Sequence, residues 1–344
     1  MSFRPGFKAT FAGSLPLAGA EEAVELILAH LPELPGWPQL IPRSPWEDMI
    51  LQAAPGLPGL KVDLEARTVR IDPDQERTLA LTEFYQADLE GRLDRFGLTE
   101  EVAPGFFALV RRASGERGQI ERLKGQVTGP ITFCLSVKDS TGRVILYDQE
   151  LAEACARGLG LKGAWQVANF PKELESGLIF LDEPGLTGFG SAFLNLDRQT
   201  ALSLLNAATQ AIQEAGGLVG VHVCGNTDWS LVLTTQVDVV NFDAYAFGEG
   251  FLLYAQDIEA FLNRGGVIAW GIVPTTMYTP QVSAEELVSR LEELIGRLVA
   301  HGIKRAVLEE QSLLTASCGL GSISPPTALA VLELLSKTSR LLRG

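Results

Sequence analysis

At 344 residues, 46% apolar and 8% aromatic, the chain can bury a large core, as two ordinary domains or as one α/β barrel with additions. Its formal net charge of −14 excludes phosphate backbones and anionic membrane surfaces as general partners, and its apolar runs are shorter than the ~18–20 residues that span a bilayer. Four cysteines make no disulfide framework, and the start, MSFRPGFKATFAG, lacks the apolar stretch of a secretory leader, so a soluble cytoplasmic protein with reduced thiols is expected.

KATFAGSLP (8–16) and WPQLIP (37–42) read as the first two strands. KVDLEARTVRID (61–72) alternates and is punctuated like a β-hairpin, and EFYQADLEGRLDRFG reads as the helix after it. QIERLKGQVTGPITF (119–133) is a third strand leading into a turn, and GLIFLDEPGL (177–186) is a buried fourth. DRQTALSLLNAATQAIQEAGG (197–217) is a helix closed by glycine. The strand LVGVHVCGN, the helix around TDWSLVLTTQ, the strand VDVVNFDAY (237–245) and the helix FLLYAQDIEAFLNRGG follow. VIAWGIVPTT (267–276) precedes SAEELVSRLEELIGRLVAHG (283–302), whose Ser and Glu three residues apart make a capping box. SLLTASCGL (312–320) and a closing helix, PPTALAVLELLSKTSRLLRG, complete the series.

Repeated strand–helix units imply parallel strands with crossover helices. Eight parallel candidates, near residues 10, 40, 128, 180, 221, 240, 269 and 315, predict an α/β fold of the (β/α)8 TIM-barrel kind. The hairpin is an insertion after the second strand, within a hairpin-and-helix segment at about 55–115, and residues 1–344 form one catalytic domain.

Such barrels do their chemistry at the C-terminal ends of the strands. Those ends carry Gly13-Ser14, Arg43, Asp182, His222, Cys224, Asp243 and Cys318. Residues two apart on a strand share a face, so His222 and Cys224 can serve one metal ion. With Asp243 and Cys318 they make a ligand set suited to zinc, which prefers thiolate and imidazole in a tetrahedron. Cys134 and Cys155 read as small buried residues, and His30 and His301, near helix ends, as capping or surface groups. Trp37, Trp46 and Trp229 read as core, with an apolar rim as their other reading.

AGS, QVTGPIT, LDEPGL, VHVCG, NFDAY and SCGLG, in that order from Ala12 to about Leu320, resemble the catalytic half of cobalamin-independent methionine synthase, a uroporphyrinogen decarboxylase-like barrel. The chain matches one barrel and looks like the short core forms. The resemblance implies zinc on His222, Cys224, Asp243 and Cys318, although the family has Glu where Asp243 stands; Glu249 is a weaker substitute. It implies a thiol acceptor, homocysteine, with its carboxylate at Gly13-Ser14 and its ammonium at Asp182. Where the family has a further glutamate this chain has PRSPWEDM, so Arg43 favours an acidic group and keeps coenzyme M in play, while Glu47 can restore an ammonium contact. The expected methyl donor is methylcobalamin or another methylated corrinoid, carried by a partner corrinoid protein, or else methyltetrahydrofolate. A zinc- or corrinoid-binding protein without turnover, and a uroporphyrinogen decarboxylase-like enzyme, are the competing classes. The second needs clustered arginines near the N-terminus, where only Arg4 and Lys8 are found.

Overall fold

Short runs buried at almost every position form the centre of the fold. In the computed structural model, which describes residues 3–115, 118–191 and 194–344, two short strands come first, β1 (Ser14–Leu15) and β2 (Gln39–Leu40), paired parallel. β3 (Leu60–Asp63) and β4 (Thr68–Ile71) form an antiparallel hairpin. Then come β5 (Lys124–Thr128), β6 (Leu178–Asp182), β7 (Leu218–Val223), β8 (Val239–Phe242), β9 (Val267–Val273) and β10 (Ser312–Ala316). These six make one parallel sheet in sequential order, β5 at one edge and β10 at the other. Bridges join Ala9 to Leu314 on β10 and Gly36 to Lys124 on β5, so the chain around β1 and β2 meets both edges.

Helices follow the strands as crossovers. α1 (Ala20–His30) succeeds β1, and α2 (Met49–Ala53), α3 (Arg77–Leu89) and α4 (Pro104–Gly115) lie between β2 and β5. α5 (Pro130–Ser136) and α6 (Gln149–Asn169) follow β5, α7 (Arg198–Glu214) follows β6, and α8 (Trp229–Thr234) follows β7. α9 (Ala244–Leu252) and α10 (Ala255–Asn263) follow β8, α11 (Ala284–Ala300) and α12 (Arg305–Glu310) follow β9, and α13 (Pro325–Arg343) ends the chain.

A parallel sheet covered on both faces needs apolar residues on both. Val219, Val221 and Val223 of β7 belong to the large cluster shared with the helices. Leu178, Phe180, Val239, Val267, Ala269 and Leu313 form a separate cluster on the other face, which therefore has its own interior. Caps fix the helix starts: Ser283 Oγ accepts from Glu286 N (3.1 Å), and Asp197 Oδ1 from Thr200 N (3.0 Å).

Several elements differ from expectation. The helix expected over 83–97 starts at Arg77, where the Glu76 carboxylate accepts from the N–H groups of Thr78 and Leu79. It stops at Leu89 because Gly91, at φ 66°, turns the chain into a separate 3₁₀ turn, Leu93–Phe96. The first strand is reduced to Ser14–Leu15 and the Ala9 bridge, with Gly13 at φ 141° between them. The stretch read as one helix at 251–266 begins inside α9 and continues as α10 after a break. α6, the longest helix at 21 residues, has no sequence counterpart. It carries Gly158, Gly160 and Gly163 and is buried on most sides, so both propensity and amphipathic period are weak. The glycines have a packing reason: a Cβ on Gly160 would lie 2.4 Å from the Ala208 carbonyl oxygen of α7, and one on Gly163 2.7 Å from Ile212. No helix among the described residues is long and apolar enough to cross a membrane.

Candidate metal centre

Strand register sets the geometry of the polar end of the sheet. Thr128 pairs with Asp182, Asp182 with His222, and His222 with Asn241, so four polar residues form one row across β5 to β8. Cys224 lies two residues beyond His222, and Cys318 two beyond the end of β10. One ligand atom from each of His222, Cys224 and Cys318 lies within 4.8 Å of the others. The Cys318 turn rests on Ser14: Ser14 Oγ accepts from Gly321 N (3.2 Å) and Ser14 O from Leu320 N (2.9 Å). A Cβ on Gly319 would lie 2.2 Å from Ser14 Oγ, so a side chain there would displace the Ser14 hydroxyl from Gly321 N.

Asn241 decides how His222 is presented. Its Nδ2 donates to Ala269 O (2.8 Å) and Thr315 Oγ1 (2.7 Å), which fixes its amide and turns Oδ1 toward His222 Nδ1 at 2.6 Å. A carbonyl-type oxygen only accepts, so Nδ1 carries the proton and Nε2 keeps its lone pair for a metal. Burial lowers the His222 pKa to about 4, which keeps the ring neutral. A hydrogen bond from Cys318 lowers the Cys224 pKa to about 7 against the effect of burial, and the same bond, with burial, raises Cys318. The thiol pair is thus set up for Cys224 to lose its proton first.

Behind the row lies Lys124, fully buried, its Nζ donating to Ala12 O and to Gln126 Oε1 (3.0 Å) and lying 4.8 Å from the centre of the Phe180 ring. Burial raises the pKa of Asp182 and lowers that of Lys124, and each charge opposes the other's shift. Asp182 Oδ1 is buried without a hydrogen-bond partner among the described residues. Glu183 is buried beside it and accepts from Ile131 N (2.9 Å), Thr132 N (2.8 Å) and Thr132 Oγ1 (2.6 Å), securing the start of α5.

The remaining residues expected at the site have other partners. Asp243 stands outside the three-residue cluster; its Oδ1 accepts from Ala246 N (2.8 Å) and caps α9. Its charge still reaches Cys224, opposing thiolate formation there. Glu249 pairs with Arg297. Arg43 is exposed, 3.5 Å from Glu47 and donating to Glu101 O at 2.9 Å. Glu47 is fully buried, takes Leu40 N at 2.9 Å, and has its pKa raised by burial. Gly13 leaves no room for a side chain, since a Cβ would sit 2.6 Å from Gln126. Trp37 and Trp229 are core residues; Trp46 is half-buried. Cys134 and Cys155 are fully buried, with thiol pKa values pushed up by burial. Sequence reading missed Asn241 and Lys124, although the two-residue strand period that pairs His222 with Cys224 also puts Asn241 on the facing side of β8.

Two sulfurs and a neutral imidazole nitrogen are a donor set for a borderline-soft ion such as zinc. Ligands of a tetrahedral zinc ion lie roughly 3.5–4 Å apart, so the cluster needs little contraction to close on one. Three protein ligands leave a fourth position open, the pattern of catalytic rather than structural zinc. Fold and cluster together give an α/β protein with a thiol–imidazole group that could hold a metal ion at the C-terminal end of a parallel sheet. Among solved structures, a B12-independent methionine synthase from Shewanella sp. W3-18-1, in complex with selenomethionine, has the same fold. Its TM-score is 0.63, with 98% of each chain covered and 15% identity. No family model matches the chain, and no curated protein matches it.

Proposed function

We propose that the chain is a zinc-dependent methyltransferase of the methionine synthase kind, in which the sheet and the β1–β2 pair close as a (β/α)8 barrel. The seams of that barrel are the Ala9–Leu314 and Gly36–Lys124 bridges. The observation that carries the function is the cluster of His222, Cys224 and Cys318 with Asn241 holding Nε2 free. Zinc, when bound, supplies Lewis acidity that keeps an acceptor thiol deprotonated at neutral pH. The chain's own residues bind and orient. His222, Cys224 and Cys318 hold the ion, and Asp243 stands by as a carboxylate near Cys224. Asp182, with a buried oxygen lacking a partner, receives the ammonium of the acceptor, and the Gly13-Ser14 turn lines the same mouth.

The acceptor is homocysteine, giving methionine, and the donor is a methylated corrinoid or methyltetrahydrofolate. Arg43, the residue that favours a sulfonate thiol, is already engaged by Glu47 and Glu101, which lowers the case for coenzyme M. The test is a methyl-transfer assay crossing methylcobalamin and methyltetrahydrofolate with homocysteine and coenzyme M, on protein of measured zinc content. Methionine formed only by zinc-loaded protein is the expected result; zinc-loaded protein inactive with all four pairs refutes the reading.

A further inference from the structure

His222 and Cys224 owe their places to their strand. His222 lies within β7 and Cys224 follows its last residue, so the sheet itself positions them. Cys318 is different. The two-residue period of β10 puts Thr315 and Ser317 on one face and Cys318 on the other. The Thr315 face is the one that meets Asn241, the partner of His222. A regular extension of β10 would therefore carry the Cys318 sulfur away from the imidazole. Its place in the cluster depends on how the chain leaves the strand.

That exit is fixed on both sides of Cys318. Pairing between β10 and β9 slips by one residue at the end: Thr315 faces Gly271, but Ala316 faces Val273. Such a slip re-aims the side chains that follow it. Gly271 permits the close approach, since a Cβ there would lie 2.3 Å from Phe242 O and 3.0 Å from Ser317 Cα. Ser317 N then donates to Val273 O (2.8 Å). The Ser317 hydroxyl accepts from Thr275 N (3.2 Å) and pairs with Thr275 Oγ1 (3.1 Å). Thr275 is 2% and Ser317 5% exposed, so this link is shielded from water. Beyond Cys318, Ser14 takes the N–H groups of Leu320 and Gly321, and Gly319 N donates to the Cys318 sulfur.

We infer that Thr275 and Ser317 are positioning residues of the metal centre: their paired hydroxyls hold the end of β10 against β9, so that Cys318 turns its sulfur toward the ion. Neither supplies a ligand atom. The role rests on the zinc centre proposed above and names what controls its third ligand. The Ser14 contacts alone leave residue 317 free to follow the strand, and the cysteine would follow with it. A hydroxyl pair suits the task because each buried hydroxyl satisfies the other. Loss of the Ser317 hydroxyl also leaves the buried Thr275 N–H unpaired, which favours a shift of the turn. His222 and Cys224, set by β7, should keep their places when the pair is broken.

Cobalt(II) put in place of zinc in the full chain, under reducing conditions, tests this. Its thiolate-to-metal charge-transfer absorption grows with each bound thiolate, and Cys318→Ser marks the level for Cys224 alone. Ser317→Ala should drop from the wild-type level toward that of Cys318→Ser. Its zinc affinity, read by chelator competition, should fall roughly 10- to 100-fold, as for other outer partners of metal ligands. Thr275→Ser keeps the hydroxyl and should match the wild type in both readouts. Ser317→Ala combined with Thr275→Val should bind zinc no more weakly than Ser317→Ala, because the two residues act as one link. Thermal melts of the metal-free proteins check folding, and Thr275→Val carries the comparison if Ser317→Ala does not fold. Wild-type absorption and zinc affinity in a folded but less stable Ser317→Ala overturn the inference and leave the pair a packing contact. Thr275→Ser as weak as Thr275→Val overturns it too. A wild type that binds no metal removes the centre and the inference together. Metal binding that depends on Ser317 in a protein that methylates no thiol keeps the inference and removes the proposed reaction.

Discussion

Asn241→Ala tests the centre without touching a sulfur or the imidazole. Asn241 is fully buried, and the change removes the acceptor on His222 Nδ1 and both donors to Ala269 O and Thr315 Oγ1. The Thr315 hydroxyl can turn to another acceptor, so two groups are left unsatisfied. At about 1–3 kcal/mol each, the expected loss of stability is about 2–6 kcal/mol. With Nδ1–H unheld, the ring can rotate or change tautomer, and zinc affinity should fall about 10- to 100-fold, as for other outer partners of a ligating histidine. Asn241→Asp separates the two effects. A carboxylate still accepts from Nδ1–H, which preserves zinc affinity, but it repels the Ala269 carbonyl and lowers stability. Zinc affinity is read by competition with a chromophoric chelator and stability by calorimetric melting of the metal-free protein. Wild-type zinc affinity in Asn241→Ala, or equal loss of affinity in the Ala and Asp variants, refutes the orienting role.

Zinc content should be about one per chain by atomic absorption, should drop sharply in Cys224→Ser and Cys318→Ser, and should be unchanged in Cys155→Ala. Asp243→Ala should cost about 1 kcal/mol through the lost α9 cap yet retain its zinc; loss of zinc on gel filtration would make Asp243 a true ligand. Burial raises the Glu183 pKa to about 7, above the ordinary ~4.3, so the folded chain keeps a proton that the unfolded chain releases between those values. The stability from that proton is full below pH ~4 and is lost as pH rises to about 7, by at most about 4 kcal/mol. Melting temperatures across pH 4–8 should therefore fall less steeply in Glu183→Gln; equal slopes would contradict the assignment. Gly160→Ala places a methyl 2.4 Å from the Ala208 carbonyl, and a melting temperature equal to wild type would show that α6 and α7 can separate without cost.

Legibility in the sequence followed period and composition. VIAWGIV is apolar throughout and LVGVHV apolar but for His222, and both lie between helical patterns, so the parallel strand–helix rhythm could be read directly. The His222–Cys224 parity followed from the two-residue period alone. Three features escaped for physical reasons. α6 is buried on most sides and rich in glycine, and so shows no amphipathic stripe. Asn241 looks like any polar residue until the register sets it opposite His222. Lys162, on a helix, reads as a solvated charge, and only the close approach of α6 to β5 reveals that it is buried.

The division of the sheet's inner face explains why the polar row tolerates burial. Toward the strand starts the face is filled by Leu178, Phe180, Val239, Val267 and Leu313, and the strand ends carry the polar residues. Buried polar groups in that end have protein partners, Asn241 making three hydrogen bonds and Glu183 three, and Lys124 behind them makes two. Satisfied groups of this kind hold a fixed geometry and cost little, while unsatisfied ones destabilise the fold. Of the four residues in the row, His222, Asn241 and Thr128 are paired, and Asp182 Oδ1 has no hydrogen-bond partner among the described residues. A fold that satisfies its neighbours so fully leaves that oxygen for a group from outside the chain, a water or a ligand. Lys162 Nζ is likewise buried without a hydrogen-bond partner among the described residues.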